Sequence, residues 1–395
     1  MAKEAINPTL KMSQEQLSKA LNLVGRVIPS KSTLPVLTNV MIDAREGTRV
    51  KFVGTDMDMT VIAYAENIIS DGSFCYTLPG VKFQETVSML MGDVTLSLKG
   101  SGATGGVGIK ANGYSGNLMG IEGDEYPGSP DYTDAPRIQL DFDILKSLIN
   151  NVVFAAANED VARPYLTCVS IAIRGNTISA FAADANRVAF QKFDLGYDAG
   201  EYSLLVPVHS LRELSRLMGI VRGSVAVLIF GGDERMIVDF GNVRFYAQLF
   251  AEKYPDLSTF FARKYPIKAT IDRNTLLYAC RQVSIVAKEN VNIGVFNFTH
   301  GEDGDKLVIK ASASGTGDVE VSVDVKLDGK EIILGLDIKS FMDVLSVIKT
   351  DSIEFSMDAL NLPTKTVAAG TDDGFAYIQM PMHNEDVKAA VANAK

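Results

Sequence analysis

The chain has 395 residues, 47% hydrophobic and 22% charged, with three cysteines and a formal net charge of −10. That length exceeds one ordinary core and suits two or three domains; no apolar run reaches the roughly 18 residues that cross a bilayer, and the opening MAKEAINPTLKM holds no signal-like stretch, so a cytoplasmic location without membrane contact is expected. Cys75, Cys168 and Cys280 stand far apart without metal-ligand spacing, as suits a reducing compartment, and the acidic balance excludes a uniformly basic nucleic-acid binder, so the placement of Lys and Arg matters more than their total.

In chain order, residues 13–28 come first, with Leu17, Leu21, Val24 and Val27 at offsets of 0, 4, 7 and 10. Those offsets mark one face of an α-helix. Strand-like segments follow at 36–42, 50–53 and 60–65. A helix pattern over 80–91 carries Phe83, Val87 and Leu90, and a strand pattern occupies 94–98. The series then restarts. Residues 141–157 place Leu145, Ile149, Val152 and Ala155 at the same four offsets; 169–173 reads as strand, 208–218 as helix through Leu211, Leu214 and Met218, and 224–230 and 236–240 as strands. A third series begins at 272–288 with Leu276, Cys280, Val283 and Val286. Strands at 294–298, 306–310 and 319–325 precede a helix over 338–349 with Phe341, Val344, Leu345 and Ile348. Residues 318–325 alternate apolar with polar, the mark of a half-buried antiparallel strand. Glu46-Gly47, Arg174-Gly175-Asn176, Gly231-Gly232-Asp233 and Asp328-Gly329 supply turns.

The spacing is regular. Leu17, Leu145 and Leu276 recur at an interval of about 130 residues, as do Phe83, Leu211 and Phe341. First and second helices of each series lie about 65 residues apart. The pattern predicts an α+β chain of three tandem domains, each with two helices packed on antiparallel sheets. Boundaries fall where Pro and charge accumulate, at Tyr126–Pro136 and Arg263–Pro266. The domains are therefore placed at 1–133, 134–263 and 264–383, followed by a loose tail over 384–395.

The helix windows 11–26, 80–92, 141–157, 208–222, 272–288 and 337–349 hold thirteen basic and eight acidic residues, a net of +5, against −15 for the remainder. Solvated helix faces commonly carry Lys and Arg, but six-fold repetition favours a shared basic surface. Its members would be Lys19, Arg26, Lys82, Lys146, Arg212, Arg216, Arg273, Arg281 and Lys339, with Lys31 beside them. If two chains close a ring of twelve helices spaced about 10 Å apart, the axes lie on a circle of roughly 19 Å radius. Removing about 5 Å for each helix body leaves an opening of about 14 Å radius. A duplex of about 10 Å radius passes through with a water layer to spare. Contacts of that kind are electrostatic and blind to sequence.

Several segments then resemble one family. They are Thr33-Leu-Pro-Val-Leu-Thr-Asn-Val40, Gly54-Thr-Asp-Met-Asp-Met59, Arg163-Pro-Tyr-Leu-Thr167, Ala183-Asp-Ala-Asn-Arg-Val188, Val206-Pro207, Lys253-Tyr-Pro-Asp256, Phe341-Met-Asp-Val-Leu345 and Tyr377-Ile-Gln-Met-Pro-Met382. In order and spacing, over roughly residues 9–383, the chain resembles the beta subunit of bacterial DNA polymerase III, the beta sliding clamps. The resemblance implies a head-to-tail homodimeric ring of pseudo-six-fold symmetry, without catalytic activity, cofactor or metal. It implies double-stranded DNA as a sequence-independent partner, loading by a separate clamp loader, and a hydrophobic pocket for short linear motifs of polymerase subunits, loader and repair proteins. By the same resemblance, the pocket comprises Tyr165, Leu166, Ala183, Ala185, Asn186, Arg187, Val188, Pro255, Ile378, Met380, Pro381 and Met382. The ring seam would involve Tyr114, Ile285 and Val286. Family members usually have Gly-His-Arg where Ala185-Asn186-Arg187 stand, often a basic residue at Thr259 and Arg at His383, which bears on peptide preference. The tail after His383 is longer than usual, and could crowd the pocket.

Other signals point elsewhere. Gly100-Ser-Gly-Ala-Thr-Gly105 spells a dinucleotide fingerprint, but a strand pattern and not a helix follows it. Asp56 and Asp58 lack a third ligand, and the 300–305 segment lacks EF-hand spacing. Two further readings stay open: an α+β enzyme using carboxylates such as Asp56, Asp58 and Asp184, and a scaffold that keeps the ring without DNA.

Overall fold

Helix periodicity becomes helix in a computed structural model that describes residues 8–45, 49–66, 68–99, 105–128, 135–160, 162–221, 223, 225–231 and 235–393. In order the helices are α1 (Gln14–Val24), α2 (Gly80–Ser88), α3 (Phe142–Asn150), α4 (Val208–Leu217), α5 (Ser258–Phe261), α6 (Arg273–Ala287), α7 (Ile338–Val347) and α8 (Glu385–Asn393). Local chemistry sets their starts. Ser13 caps α1 in a capping box, its hydroxyl accepting from the Gln16 N–H at 3.2 Å while Gln16 Oε1 accepts from the Ser13 N–H at 3.2 Å. Asp272 and Asp337 cap α6 and α7 by accepting from Thr275 N and Ser340 N at 2.7 and 2.6 Å. The expected 141–157 helix is shorter. It ends at Asn150, where Asn150-Asn151-Val152-Val153 strings together weak helix formers, and a 3-10 turn follows over Val153–Ala155.

The residues gather into two units. Met1–Lys146 with His209–Leu249 form the first. Its five-stranded antiparallel sheet runs Ile69–Asp71, Thr9–Ser13, Asp93–Lys99, Gly106–Ala111, Tyr114–Met119, the last being an edge. Its nine-stranded sheet runs Ile121–Glu122, Cys75–Pro79, Asn39–Asp43, Arg49–Thr55, Met59–Glu66, Val243–Gln248, Arg235–Asp239, Val225–Gly231, Arg137–Asp141. Helix α1 packs on α2 and on Arg49–Thr55 and Met59–Glu66. Leu17, Leu21, Val24, Phe52, Phe83 and Val87 are buried there.

Ser147–Val208 with Phe250–Lys395 form the second unit. Its twelve-stranded sheet runs Glu201–Pro207, Cys168–Arg174, Thr177–Ala183, Arg187–Asp194, Phe375–Gln379, Thr364–Ala368, Ser352–Met357, Ile267–Asp272, Gly317–Asp328, Lys306–Ala313, Ile293–Thr299, Ile332–Asp337. Helix α6 packs on α7, Lys306–Ala313 and Gly317–Asp328. Among the described residues every strand pair in both units is antiparallel, as the alternating patterns predict.

One strand addition occurs twice. In the first unit Met59–Glu66 of the first repeat pairs with Val243–Gln248 of the second, Thr60 opposite Tyr246. In the second unit Arg187–Asp194 of the second repeat pairs with Phe375–Gln379 of the third, Val188 opposite Ile378. The two receiving strands, Met59–Glu66 and Arg187–Asp194, stand one repeat length apart in sequence.

The C-terminal segment corrects the sequence reading. Residues 385–393 form α8 and not a loose tail. Asn384 Oδ1 accepts from Val387 N at 2.9 Å, Asn290 Nδ2 donates to Asp386 at 3.0 Å, and Val387 is fully buried with Ile293 and Val295. Ala389, Ala390 and Ala392 favour helix, and Glu385 and Asp386 suit its N-terminus. The Glu46-Gly47 turn, Gly232-Asp233, residues 100–104 of the glycine fingerprint and 129–134 of the first boundary lie outside the described residues. The strand expected after the fingerprint is present at Gly106–Ala111.

Candidate functional site

The second unit assembles an apolar cluster from three distant stretches of chain. Leu166, Ala183, Val188 and Ile378 are its buried members, and Tyr165, Ala157, Phe181, Tyr254, Leu257 and Phe261 pack around them half-buried. Pro164 opens the 3-10 turn Pro164–Thr167 that presents Tyr165 and Leu166, and Leu166 O accepts from Ala157 N at 3.0 Å. Tyr165 meets Tyr254 edge-on, with ring centroids 6.0 Å apart. Ala183 and Val188 face each other across the tip of a hairpin. Asp184 ties that tip, accepting from Asn186 N at 2.8 Å and Arg187 N at 3.0 Å. Ala185 and Asn186 stand exposed on it, and Asn186 O accepts from Met380 N at 2.8 Å. The last strand is thereby fastened beside the cluster. An apolar side chain buried against such a surface gains about 1.5–3 kcal/mol.

Arg187 has a different task from the apolar residues. Its guanidinium lies 2.8 Å from Asp184 and 2.8 Å from Asp343, and 5.8 Å over the Phe154 ring. Burial works against its charge, but the bonds to Asp343 and the charge of Asp184 outweigh that and raise its pKa above the ordinary value. Burial likewise pushes the Tyr377 hydroxyl up; that hydroxyl donates to Ser340 O at 3.2 Å. The sequence-derived pocket thus divides. Tyr165, Leu166, Ala183, Val188 and Ile378 converge. Met380 is half-buried, Pro381 buried and Pro255 exposed. Met382 packs in a separate cluster with Val387, and its N–H donates to Gly335 O at 2.9 Å. Sequence reasoning missed Phe181, Tyr254, Leu257 and Phe261. Tyr254 sat inside the quoted 253–256 segment, and the others carried no pattern.

The basic residues also divide. Lys19, Lys31 and Lys82 in the first unit, and Arg281 and Lys339 in the second, are exposed, whereas Lys146 and Arg212 are half-buried. Arg26 and Arg216 both meet Glu213, at 3.2 and 2.9 Å. Arg273 donates to Thr350 O at 2.9 Å, Leu345 O at 3.1 Å and Asn274 at 2.8 Å, closing the C-terminus of α7. Tyr114 and Ile285 are exposed and Val286 is half-buried.

The rejected acids sit in turns. Asp56 accepts from Met59 N at 2.6 Å, and burial raises its pKa; it is half-buried, less exposed than a strand-end acid is expected to be. No group of three potential metal ligands occurs among the described residues. No described helix is long and apolar enough to cross a membrane.

Three tandem α+β domains with strand-on-strand junctions and an apolar cleft beside one of them define a clamp-type protein. Models of the DNA polymerase III beta subunit match most of the chain: the N-terminal domain over residues 9–129, the central domain over 139–256 and the C-terminal domain over 259–383. The chain is 29% identical to the beta sliding clamp of Staphylococcus aureus over 373 residues, 92% of this chain and 96% of that protein. It superposes on the Bacillus subtilis sliding clamp with a TM-score of 0.88 at 22% identity, covering 96% of this chain and all of that one. A Pseudomonas aeruginosa sliding clamp gives 0.85 at 25% identity over 95% of this chain, and another structure from that organism, at 24% identity, holds griselimycin. The chain belongs to the DNA polymerase III beta subunit family, the sliding clamps, and is a non-catalytic subunit.

Proposed function

We propose that two copies of this chain close head to tail around duplex DNA, and that the cluster around Leu166, Ala183, Val188 and Ile378 captures apolar linear motifs of polymerase, clamp-loader and repair proteins. The observation that carries the ring is the repeated strand addition. Met59–Glu66 and Arg187–Asp194 each receive a strand, Val243–Gln248 or Phe375–Gln379. The third-repeat counterpart of the receiving strands is the start of Gly317–Asp328. Its residues 317–324 pair with Lys306–Ala313 on one side, while only 325–328 pair with Ile267–Asp272 on the other. The first-repeat counterpart of the donated strands is Tyr114–Met119, an edge. Two complementary open edges on one chain support pairing with a second copy, which removes both from solvent. The register of the internal junctions, carried over, sets Tyr114 opposite Glu320 and Gly116 opposite Asp318.

Domain limits of 1–133, 134–263 and 264–383 follow from this reading, with α8 as an addition beyond the third. The exposed cations Lys19, Lys31, Lys82, Arg281 and Lys339 would face the phosphates. The acidic remainder of a −10 chain would keep the outside from holding DNA. The cytoplasm, where replication partners reside, is the expected location. The experiment is topological. Protein loaded on a nicked circular plasmid should be retained through gel filtration and lost when the plasmid is linearised. Equal retention on both forms would reject encirclement, and a mass of 42.7 kDa in solution at micromolar concentration would reject the dimer.

A further inference from the structure

The sheet face that carries the apolar cluster continues beyond it. Antiparallel partners share a face, and so do residues two apart on a strand. Val188 and Ile378 are partners in the cluster; Phe190 and Ala376, two residues on, are the next pair on that face. Lys365 is the partner of Ile378 on the following strand. Phe261 of α5 lies over this face, 5.3 Å from Phe190 and 5.9 Å from Phe181 between ring centroids. On the far side of Phe261 is a cleft of about 360 Å³ whose lining includes Phe190, Lys192, Lys365, Val367, Asp372 and Phe375. Among the described residues neither Lys192 nor Lys365 makes an ion pair. The Asp372 carboxylate accepts from Gly374 N at 3.1 Å. Two lysines against one acid leave the cleft positive in a chain of net charge −10.

We propose that this cleft binds the acidic flank of a peptide whose apolar residues occupy the neighbouring cluster. The inference rests on the peptide-capture reading above and adds a chemical preference to it: Asp or Glu side chains, with room for an apolar side chain against Phe190 and Phe375. Reach supports it. A two-residue step along a strand is about 7 Å, so an extended peptide crosses Phe261 within two to four residues of its apolar anchor. The partner chemistry follows from charge complementarity and from continuity with the apolar cluster. A basic flank would be repelled.

The test is fluorescence anisotropy with a labelled, C-terminally amidated hexapeptide carrying Leu and Phe anchors. It is compared with the same peptide extended at either end by Asp-Asp, Ser-Ser or Lys-Lys. Asp-Asp at one end should tighten binding roughly three- to ten-fold at low salt, the scale of one or two partly exposed ion pairs; the gain should fade at high salt. Ser-Ser should be neutral and Lys-Lys unfavourable. The double variant Lys192→Ala, Lys365→Ala should bind the unextended hexapeptide as the parent does and lose the Asp-Asp gain. Hexapeptide binding with no Asp-Asp gain, or a gain that survives the double variant, would overturn the cleft alone. No hexapeptide binding at all would overturn both the cleft and the peptide-capture reading.

Discussion

The Arg26 guanidinium meets the Glu213 carboxylate at 3.2 Å, joining the end of α1 to α4 where the first and second repeats share a sheet. Glu213 is 9% exposed. The same position in the second helix of the third repeat is Asp343, which meets Arg187 at 2.8 Å beside the other shared sheet. In the first repeat it is Glu85, which makes no ion pair among the described residues. Two of three equivalent acids are therefore satisfied at junctions inside the chain, and the third has no such junction among the described residues; under the proposed ring it would lie at the seam.

The first prediction concerns that third junction. The counterparts of Arg26 and Val27 on α6, two repeats further along the chain, are Ile285 and Val286; Ile285 is 63% exposed. An apolar pair there suits burial against a partner, and placing charge on it costs several kcal/mol. The double variant Ile285→Asp, Val286→Asp should sediment as a monomer. Glu85→Ala should weaken the dimer only a few-fold, with the loss vanishing at high salt, as for a rim ion pair of about 0.2–1 kcal/mol. A dimer that survives the double aspartate variant would refute the seam.

The second prediction separates cations that face solvent from cations that hold the fold. Lys82 and Lys339 are exposed, and neither makes an ion pair among the described residues. Arg273 donates to two main-chain carbonyls and Asn274. Lys82→Glu and Lys339→Glu should each weaken retention on circular DNA and flatten its salt dependence by about one unit of slope or less per phosphate contact. Their thermal unfolding should be unchanged. Arg273→Ala should instead lower stability by about 1–2 kcal/mol in urea titrations, because carbonyls at the end of α7 lose their donors. If Arg273→Ala affects DNA retention more than Lys339→Glu at equal folded fraction, this division is wrong.

Much of this arrangement can be read from the chain, and the reason is local. Leu17, Leu145 and Leu276 each start the same helical face, so periodicity locates six helices and the repeat. The motif resemblance located Tyr165, Leu166, Ala183, Val188 and Ile378, which do converge. What stayed hidden depends on pairing between remote segments. Nothing within Met59–Glu66 announces Val243–Gln248 as its neighbour, and nothing in Arg26 announces Glu213. Phe261 belongs to a four-residue helix, too short to show a period. The alanine-rich C-terminus resembles a tail because its buried anchor, Val387, makes no pattern alone; burial against Ile293 and Val295 is what selects the helix.

The third prediction is a pH dependence confined to the turn at 300–305. His300 Nδ1 lies 2.7 Å from Asp305 and Nε2 lies 2.9 Å from Gly329 O. A neutral ring donates from only one nitrogen, so two acceptors favour the protonated form. The bond to Gly329 and then that to Asp305 raise the His300 pKa above its ordinary 6.5. The Leu327 N–H and then His300 hold the Asp305 carboxyl below its ordinary 3.8. The histidine's contribution is complete below pH 6.5 and disappears as pH rises through its raised value. The aspartate's contribution is complete above pH 3.8 and disappears as pH falls through its lowered value. The clasp is therefore tightest between those limits. NMR titration should place the His300 midpoint above 6.5, and Asp305→Asn should bring it down. An unshifted midpoint would mean that the clasp does not form in solution.

The fourth prediction concerns α8. Its buried anchor, Val387, shares a cluster with Met382, Ile293 and Val295, whereas the cluster around Leu166 and Ile378 is a different set of residues. Gly335 lies under the same anchor: a Cβ there would sit 2.6 Å from Val387 Cγ2 and 2.4 Å from Met382 O. Helix α8 is thus packed against its own sheet. None of its described residues is among those that form the apolar cluster. Truncation after His383, or Val387→Asp, should leave the affinity for the amidated Leu and Phe hexapeptide within about two-fold. Either change should lower the stability of the third repeat by about 1–3 kcal/mol, since a buried valine is lost or replaced by a charge. Hydrogen exchange should report the loss on Ile293–Thr299 and Ile332–Asp337, the two strands that α8 covers. A large gain in hexapeptide affinity on truncation would show that α8 leaves this site and reaches the pocket in solution.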